Sequence, residues 1–270
     1  MTILDEIFAH KRDELAGRKQ ARPLAAVRAA AEQTAPPLDF VAGLRRNGGM
    51  AVYGACPALI AEIKHASPSR GILAPDFDAP RLARIYIDNG AAAISVLTDE
   101  HYFKGQLDYL RQVASLSPRL PLLRKDFLYD PYQLYEARSA GADAVLLIAA
   151  ALEPGLLRDL HALAIELGMA PLVEVHDREE LQIALACDPI LVGINNRDLR
   201  DFSVSLETTL RLKQHVPPQV CLVAESGIHT PQDVERLAAA GVDAILVGEA
   251  LVTARDIAGK VRSLAFKRDL

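Results

Sequence analysis

The chain has little of what marks several large classes of protein. Its 270 residues include three cysteines and no tryptophan. The cysteines, Cys56, Cys187 and Cys221, are scattered, and each lies in or beside an apolar segment. This pattern indicates buried thiols in a reducing compartment rather than a disulfide framework. No spacing of cysteine and histidine matches a metal-ligand set, so the sequence predicts no metal site.

Long apolar runs and an excess of positive charge are also missing. No run approaches the ~18 residues that a membrane-spanning helix needs. The first residues are rich in charge, so they contain no apolar signal-peptide core. The formal net charge of -5 provides no basic field for nucleic acid. We therefore expect a cytoplasmic protein that binds neither nucleic acid nor a membrane.

Half of the residues are apolar, and they gather in short runs that predict buried strands. In a weak repeat, a helical stretch ends, Gly90, Gly141 or Gly241 caps it, and an apolar run begins within a few residues. The candidate strands centre near Ile60, Ser95, Leu122, Val145, Val173, Val192, Val223 and Leu246. The candidate helices lie roughly at 80–88, 106–115, 131–140, 154–167, 178–186, 206–215, 231–240 and 250–261.

These strands are nearly continuous apolar runs, which is typical of a parallel sheet covered by helices. Eight strand-then-helix units in about 200 residues fit a closed (β/α)8 TIM barrel of the α/β class. The alternative is a doubly wound open sheet, which is less favoured because no G-x-G-x-x-G follows the first strand. We expect residues 51–270 to form the barrel as a single catalytic domain.

The segment 1–50 predicts a short helical extension before the barrel. One apolar stripe at helical spacing consists of Ile3, Leu4, Ile7, Phe8 and Leu15, and a shorter one of Phe40, Val41 and Leu44. Apolar stripes of this kind need a partner surface. The extension is therefore expected to pack on the barrel, with one mouth as a candidate position, and a mobile tail is the alternative.

Several predicted strands end in charged or amide side chains that are costly to bury alone. Glu62 and Lys64 are two apart on the first strand, so they share one face. Later strands end in Lys125, Glu174, Asn195 and Glu225. In a parallel barrel these ends meet at the C-terminal mouth, where active sites of this fold lie. The alternative is an ion-pair network that only fills the barrel, which is a poor stabilising device.

The turns after strands seven and eight predict a phosphate site. Ser226 and Gly227 offer a hydroxyl and an unhindered amide, and Gly248 lets the backbone approach at the start of a helix. Glu249 would repel phosphate, so we expect its side chain to point outward and only its N–H to contribute. The alternative is that both are ordinary strand-to-helix turns.

The segment 65–71, which follows the first strand directly, predicts a lid because long connections in compact domains are often functional. The alternative is an exposed linker. His65 is expected at the surface, and no histidine is assigned a chemical role.

The segment 60–69, IAEIKHASPS, resembles the first-strand signature of the indole-3-glycerol phosphate synthase family. Further matching blocks are YFKG at 102–105, LRKDF at 123–127, GADAVLL at 141–147, VEVH at 173–176, GINNRDL at 193–199 and AESGI at 224–228. The match runs from about residue 57 to 252, and a short helical N-terminal extension is also familial. His65 stands where a second lysine or arginine is commoner, and Glu249 where a small hydroxyl residue is often found.

The resemblance implies cyclisation of a phosphorylated 1-(2-carboxyphenylamino)-1-deoxyribulose, with loss of carbon dioxide and water and with no cofactor or metal. Lys125 would be the acid at the ketose carbonyl. Lys64 and Glu174 are candidates for the acid and base of dehydration, with Glu62 and Glu225 positioning them or holding hydroxyls. Which lysine serves which step stays open. The expected partner is this small phosphosugar, and the expected assembly is a monomer or weak homodimer.

The resemblance also assigns residues that bind substrate. Asn195 would hydrogen-bond the sugar chain, Arg197 would hold the carboxylate through its planar fork, and Ser67 would contact substrate from the lid. The aromatic ring would be walled by Phe103, Phe127, Leu146 and Leu199. One rival is phosphoribosylanthranilate isomerase, whose Cys/Asp arrangement is not seen at the right strand ends. Another is a catalytically silent binding barrel, which would be expected to have lost some of these lysines and glutamates.

Overall fold

A computed structural model describes residues 3–45, 56–68, 70–198 and 202–266. The strands in these ranges are β1 (Ala58–Ile63), β2 (Ala66–Ser67), β3 (Gly71–Ile72), β4 (Ala93–Leu97), β5 (Leu122–Lys125), β6 (Ala144–Ile148), β7 (Ala170–Val175), β8 (Leu191–Asn195), β9 (Cys221–Glu225) and β10 (Ala244–Val247). The α-helices are α1 (Ile3–Ala21), α2 (Leu24–Gln33), α3 (Ala79–Asp88), α4 (Leu107–Ala114), α5 (Pro131–Ser139), α6 (Pro154–Glu166), α7 (Arg178–Leu185), α8 (Glu207–Lys213), α9 (Pro231–Ala239), α10 (Glu249–Val252) and α11 (Ile257–Ala265).

Eight of these strands close into a parallel barrel. The order is β1, β4, β5, β6, β7, β8, β9 and β10, and β10 pairs back onto β1, where Ala58 lies beside Ala244. Closure removes the sheet edges and encloses the inner face of each strand, and the helices cover the outer face. Burial of both faces accounts for the continuous apolar runs in the sequence. The predicted TIM barrel is confirmed, and the doubly wound open sheet is wrong.

The direction of side chains along the strands places charge at one end of the barrel. The lumen is filled by an apolar cluster that includes Ile60, Leu123, Leu172 and Val223. Because side chains two apart on a strand share a face, the next inward residues on these strands are Glu62, Lys125, Glu174 and Glu225. The charged side chains therefore lie at the C-terminal mouth, above an apolar filling.

The N-terminal extension contacts both ends of the barrel. Leu4 and Ile7 of α1 line the cavity at the C-terminal mouth, and α2 packs against α5 on the outside. Phe40 and Leu44 are buried in the lumen cluster with Ala58, the first residue of β1. The extension thus covers part of the mouth and closes the opposite end.

Two predicted helices differ from the structure. The stripe of Phe40, Val41 and Leu44 forms consecutive turns, and its side chains are buried because they cover the barrel end. The helix expected over 250–261 is divided into α10 and α11, because Asp256 starts a new helix by accepting a hydrogen bond from the Gly259 amide. Helices α1 and α2 confirm the predicted helical extension, although the sequence analysis named no stripe for α2, since its alanine-rich sequence has only a narrow one.

The cysteines only partly match expectation. Cys221 is buried in β9, whereas Cys56 and Cys187 are half-buried.

Within the described ranges, no helix combines the length and the apolar character needed to cross a membrane. The same ranges contain no group of three or more His, Cys, Asp or Glu side chains arranged to hold a metal ion.

Candidate active site

A cavity of about 250 Å³ opens at the C-terminal mouth of the barrel. It is lined by every predicted site residue that the described ranges contain, namely Glu62, Lys64, Ser67, Phe103, Lys125, Phe127, Leu146, Glu174, Asn195, Arg197, Glu225, Ser226, Gly227, Gly248 and Glu249. Leu199, the remaining predicted wall residue, lies outside the described residues. The fold therefore gathers side chains from distant parts of the chain round one opening.

Lys125 lies between two buried carboxylates. Its Nζ is 3.1 Å from Glu174 Oε2 and 3.3 Å from Glu225 Oε2. Burial disfavours the ammonium form, but the negative charges of Glu174, Glu225 and Glu62 outweigh burial and raise the pKa of Lys125 above its ordinary value. Lys125 is therefore a cation inside the cavity.

The two glutamates beside Lys125 have pKa values shifted in opposite directions. Burial raises the pKa of both carboxyl groups. At Glu174, Lys125 and His176 overcome burial and hold the pKa well below its ordinary range. At Glu225, burial and the charge of Glu174 outweigh Lys125 and raise the pKa to about 8. Glu174 is thus a carboxylate, while Glu225 can hold a proton near neutral pH, and such a division separates acid and base roles.

Lys64 and Glu62 form a second pair at the mouth, on β1 and directly after it, with one strand between β1 and the β5 strand of Lys125. Lys64 Nζ lies 3.5 Å from Glu62 Oε1 and 5.3 Å from the centroid of the Phe103 ring. Gly248 at the end of β10 makes room for Glu62, because a Cβ at this position would collide with the Glu62 carboxylate. The glycine of the predicted phosphate turn therefore also determines where the Glu62 carboxylate can lie.

His176 is a member of the site that the sequence analysis left without a role. Its Nε2 lies 3.4 Å from Glu174 Oε1, and its Nδ1 lies 2.9 Å from Glu180 Oε2. Burial lowers the pKa of His176, but its interactions with the two carboxylates raise it to about 10. Asn195 Nδ2 donates to the same Glu174 oxygen at 3.2 Å. The available signal was a histidine directly after β7, with Glu180 in the first turn of α7.

The segment after β1 forms a short hairpin over the mouth, in which Ala66 of β2 pairs with Ile72 of β3. Arg70 of this hairpin forms an ion pair with Glu249. Glu249 is therefore engaged by the predicted lid, and the contribution of its N–H to a phosphate site stays a prediction. His65 is half-buried and stacks on Phe77 with the ring centroids 4.7 Å apart, so it is not the surface residue that was expected.

The loops after β8 and β9 support each other. Arg197 donates its backbone N–H to Asn195 Oδ1 at 3.0 Å and its Nη1 to the Phe202 carbonyl at 3.3 Å. Asn196 is buried and donates from Nδ2 to the Ser226 carbonyl at 3.1 Å. Ser226 and Gly227 have φ values of 65° and 75°, so this turn uses the left-handed conformation that glycine adopts without strain.

Comparison with known proteins agrees with this geometry. The family model described as indole-3-glycerol phosphate synthase matches residues 4–264. The indole-3-glycerol phosphate synthase of Roseiflexus castenholzii is 52% identical over 270 residues, covering 97% of this chain and 98% of that protein. The protein of the same name from Albidiferax ferrireducens is 53% identical over 254 residues, covering 94% of each.

Among solved structures, the 3-hexulose-6-phosphate synthase of Salmonella typhimurium matches with a TM-score of 0.59 at 14% identity, over 77% of this chain and 97% of that one. Likeness at this identity concerns the fold alone, whereas the family model and the sequence relatives extend over nearly the whole chain. The chain therefore belongs to the indole-3-glycerol phosphate synthase family.

Proposed function

We propose that the barrel mouth converts 1-(2-carboxyphenylamino)-1-deoxyribulose 5-phosphate to indole-3-glycerol phosphate by Lys/Glu acid–base catalysis. Membership of the family makes the chain a carbon–carbon lyase of tryptophan biosynthesis; the proposal adds the roles of its side chains. The observation that carries these roles is the half-buried Lys125 cation, 3.1 Å from an ionised Glu174 and 3.3 Å from Glu225.

Lys125 is the proposed acid of ring closure. When the ring carbon that bears the carboxyl group attacks the ketose carbonyl, negative charge develops on the carbonyl oxygen. A proton from Lys125 converts that oxygen to a hydroxyl, and a cation in a largely apolar cavity stabilises the charge more strongly than it would in water. The carboxyl group then leaves as carbon dioxide, and its electron pair returns to the ring system.

Lys64 and Glu174 are proposed for dehydration. The new hydroxyl leaves as water after it takes a proton, and a base then removes a ring proton to complete the indole. Glu174 suits the base because it is ionised and lines the same cavity. Lys64 suits the acid because it is a second amine that lines the same cavity. Glu62 and Glu225 hold the two lysines in place.

The rest of the cavity is proposed to hold the substrate by its two ends. The aromatic end lies against Phe103, Phe127 and Leu146, and Leu199 stays a prediction for the same wall. Arg197 takes the carboxylate and Asn195 the sugar hydroxyls. The phosphate lies at the turns formed by Ser226, Gly227, Gly248 and the Glu249 amide. Ser67 has a buried hydroxyl without a hydrogen-bond partner among the described residues, and substrate would supply one.

The test is direct. Purified protein is incubated with the carboxyphenylamino ketose phosphate without added metal, and indole fluorescence is followed. The chain contains no tryptophan, so the protein adds no indole emission of its own. Absence of indole, with isomerisation of a phosphoribosyl anthranilate instead, would replace this function by that of the isomerase. Because the substrate is a small phosphorylated metabolite, we further propose a cytoplasmic location. We also propose that the protein is a monomer or a weak homodimer, which light scattering can test.

A further inference from the structure

A lysine of the N-terminal helix is buried against two carboxylates of the barrel. Lys11 in α1 is 1% exposed. Its Nζ lies 3.0 Å from Asp99 Oδ2 and 2.9 Å from Asp126 Oδ1, and both of these aspartates are buried. Glu14, one turn along the helix, completes the group at 3.1 Å. Lysine is rarely buried to this extent unless it is paired, so the position of Lys11 depends on these charges.

Each of the two barrel carboxylates holds the backbone of one aromatic wall residue. Asp99 Oδ1 accepts hydrogen bonds from the amides of Tyr102 at 2.7 Å and Phe103 at 3.1 Å. Asp126 Oδ1 accepts one from the amide of Phe127 at 2.9 Å. The centroids of the Phe103 and Phe127 rings are 6.1 Å apart. The ammonium group of Lys11 therefore joins the two turns that carry the aromatic wall of the cavity.

The same face of α1 reaches the wall directly. The Phe8 ring meets the Phe127 ring edge-on, with the centroids 5.8 Å apart, and Leu4 and Ile7 line the cavity. Helix α1 thus supplies apolar contacts to the aromatic wall. Four residues beyond Ile7, the same helix supplies the Lys11 cation that pairs with Asp99 and Asp126.

We propose that Lys11 is a positioning residue for the aromatic half of the substrate. It acts through Asp99 and Asp126, which hold the turns of Phe103 and Phe127 and so fix the positions of the two wall rings. This inference rests on the proposed function, because the carboxyphenyl ring is what the wall would receive. Preorganisation of a binding wall improves affinity by reducing the ordering required when the ligand binds.

The two carboxylates depend on Lys11 to different degrees. Asp126 also accepts a hydrogen bond from Thr98 Oγ1 at 2.6 Å and lies 3.1 Å from Arg124 Nη2. Among the described residues, Lys11 is the only cation in ion-pair contact with Asp99. Loss of the Lys11 charge should therefore loosen the Phe103 turn more than the Phe127 turn.

The experiment compares Lys11→Met with Lys19→Met. Methionine keeps much of the length of the side chain and removes its charge. Lys19 lies on the same helix and also pairs with a barrel carboxylate, Asp130 at 2.7 Å, but its side chain is 43% exposed. The readouts are kcat and KM for the substrate, and separate calorimetric titrations with 2-aminobenzoate and inorganic phosphate.

For Lys11→Met we expect KM to rise, and 2-aminobenzoate to bind more weakly, on the order of tenfold to a hundredfold. In the same variant, kcat and the affinity for inorganic phosphate should change much less. For Lys19→Met, kcat, KM and both ligand affinities should equal those of the unmodified protein. A folded Lys11→Met protein with parental KM and 2-aminobenzoate affinity would overturn the inference. So would an equal loss of both ligands, because that result indicates general loosening of the mouth.

If circular dichroism shows that Lys11→Met does not fold, the variant Asp99→Asn tests the inference in its place. This change keeps an oxygen that can accept from the turn amides and removes the charge that pairs with Lys11. The same selective rise in KM supports the inference, and parental values refute it. Failure of the parent protein to form indole is a different result, since it removes the proposed function rather than the role of Lys11.

Discussion

Replacement of Lys125 by methionine separates its chemical role from its structural role. Methionine has a similar length and no charge, so Lys125→Met removes the cation between Glu174 and Glu225 while it largely keeps the volume. Loss of a general acid typically lowers the rate by ~10²–10⁴. At about 1.4 kcal/mol per tenfold, this is about 3–6 kcal/mol in the activation barrier. We expect kcat to fall within that range, and KM to change less because Lys125 is assigned to the transition state.

The same variant should have an altered dependence of stability on pH. In the parent, the pKa of Glu225 is raised to about 8 by burial and by Glu174. A carboxyl group that holds its proton more tightly when folded makes the fold less stable as the pH rises from the ordinary carboxyl range through the raised pKa. Without Lys125, two neighbouring carboxylates lose their shared cation and both pKa values rise. The Tm of Lys125→Met should therefore fall more steeply than that of the parent between about pH 5 and 9.

The assay uses indole fluorescence for turnover and far-ultraviolet circular dichroism for melting, with Lys19→Met as the matched control. A folded Lys125→Met protein whose kcat stays within about tenfold of the parent would remove Lys125 from its role as acid. Parallel Tm curves for parent and variant across that pH range would refute the electrostatic argument, because the two carboxylates would then not depend on Lys125.

Two further predictions concern neighbours of these carboxylates. In Gly248→Ala the new Cβ displaces the Glu62 carboxylate, so kcat should fall and KM for the phosphorylated substrate should rise. The control is Gly155→Ala, whose Cβ meets nothing within 4 Å, and its kcat and KM should equal those of the unmodified protein. Unchanged kinetics in Gly248→Ala would contradict the close approach of Gly248 to Glu62. In His176→Gln the cation beside Glu174 is lost, so the pKa of Glu174 should rise and the acidic limb of the kcat profile should move to higher pH. An unmoved limb would show that His176 does not act on Glu174.

The architecture and the identity of the charged rim could be predicted because both depend on local periodicity. Continuous apolar runs indicate strands that are buried on both faces, and helix signals between them leave few arrangements other than a parallel barrel. Alternation along a strand then places Lys125 and Glu174 two residues beyond inward-facing leucines. No contact between distant residues is needed for these steps, which is why one sequence was sufficient for them.

Other features arise only when distant segments meet. Phe40 looks helical by its spacing, but it forms part of a turn because the open end of the barrel needs an apolar cover. His176 and Lys11 look like ordinary polar residues, and their partners become visible only when strands and the N-terminal helix are packed together. The opposite pKa shifts of Glu174 and Glu225 likewise depend on distances of about 3 Å between residues on different strands. Coulombic and desolvation energies depend on separation in space and not along the chain, so the protonation state of this site belongs to the folded barrel.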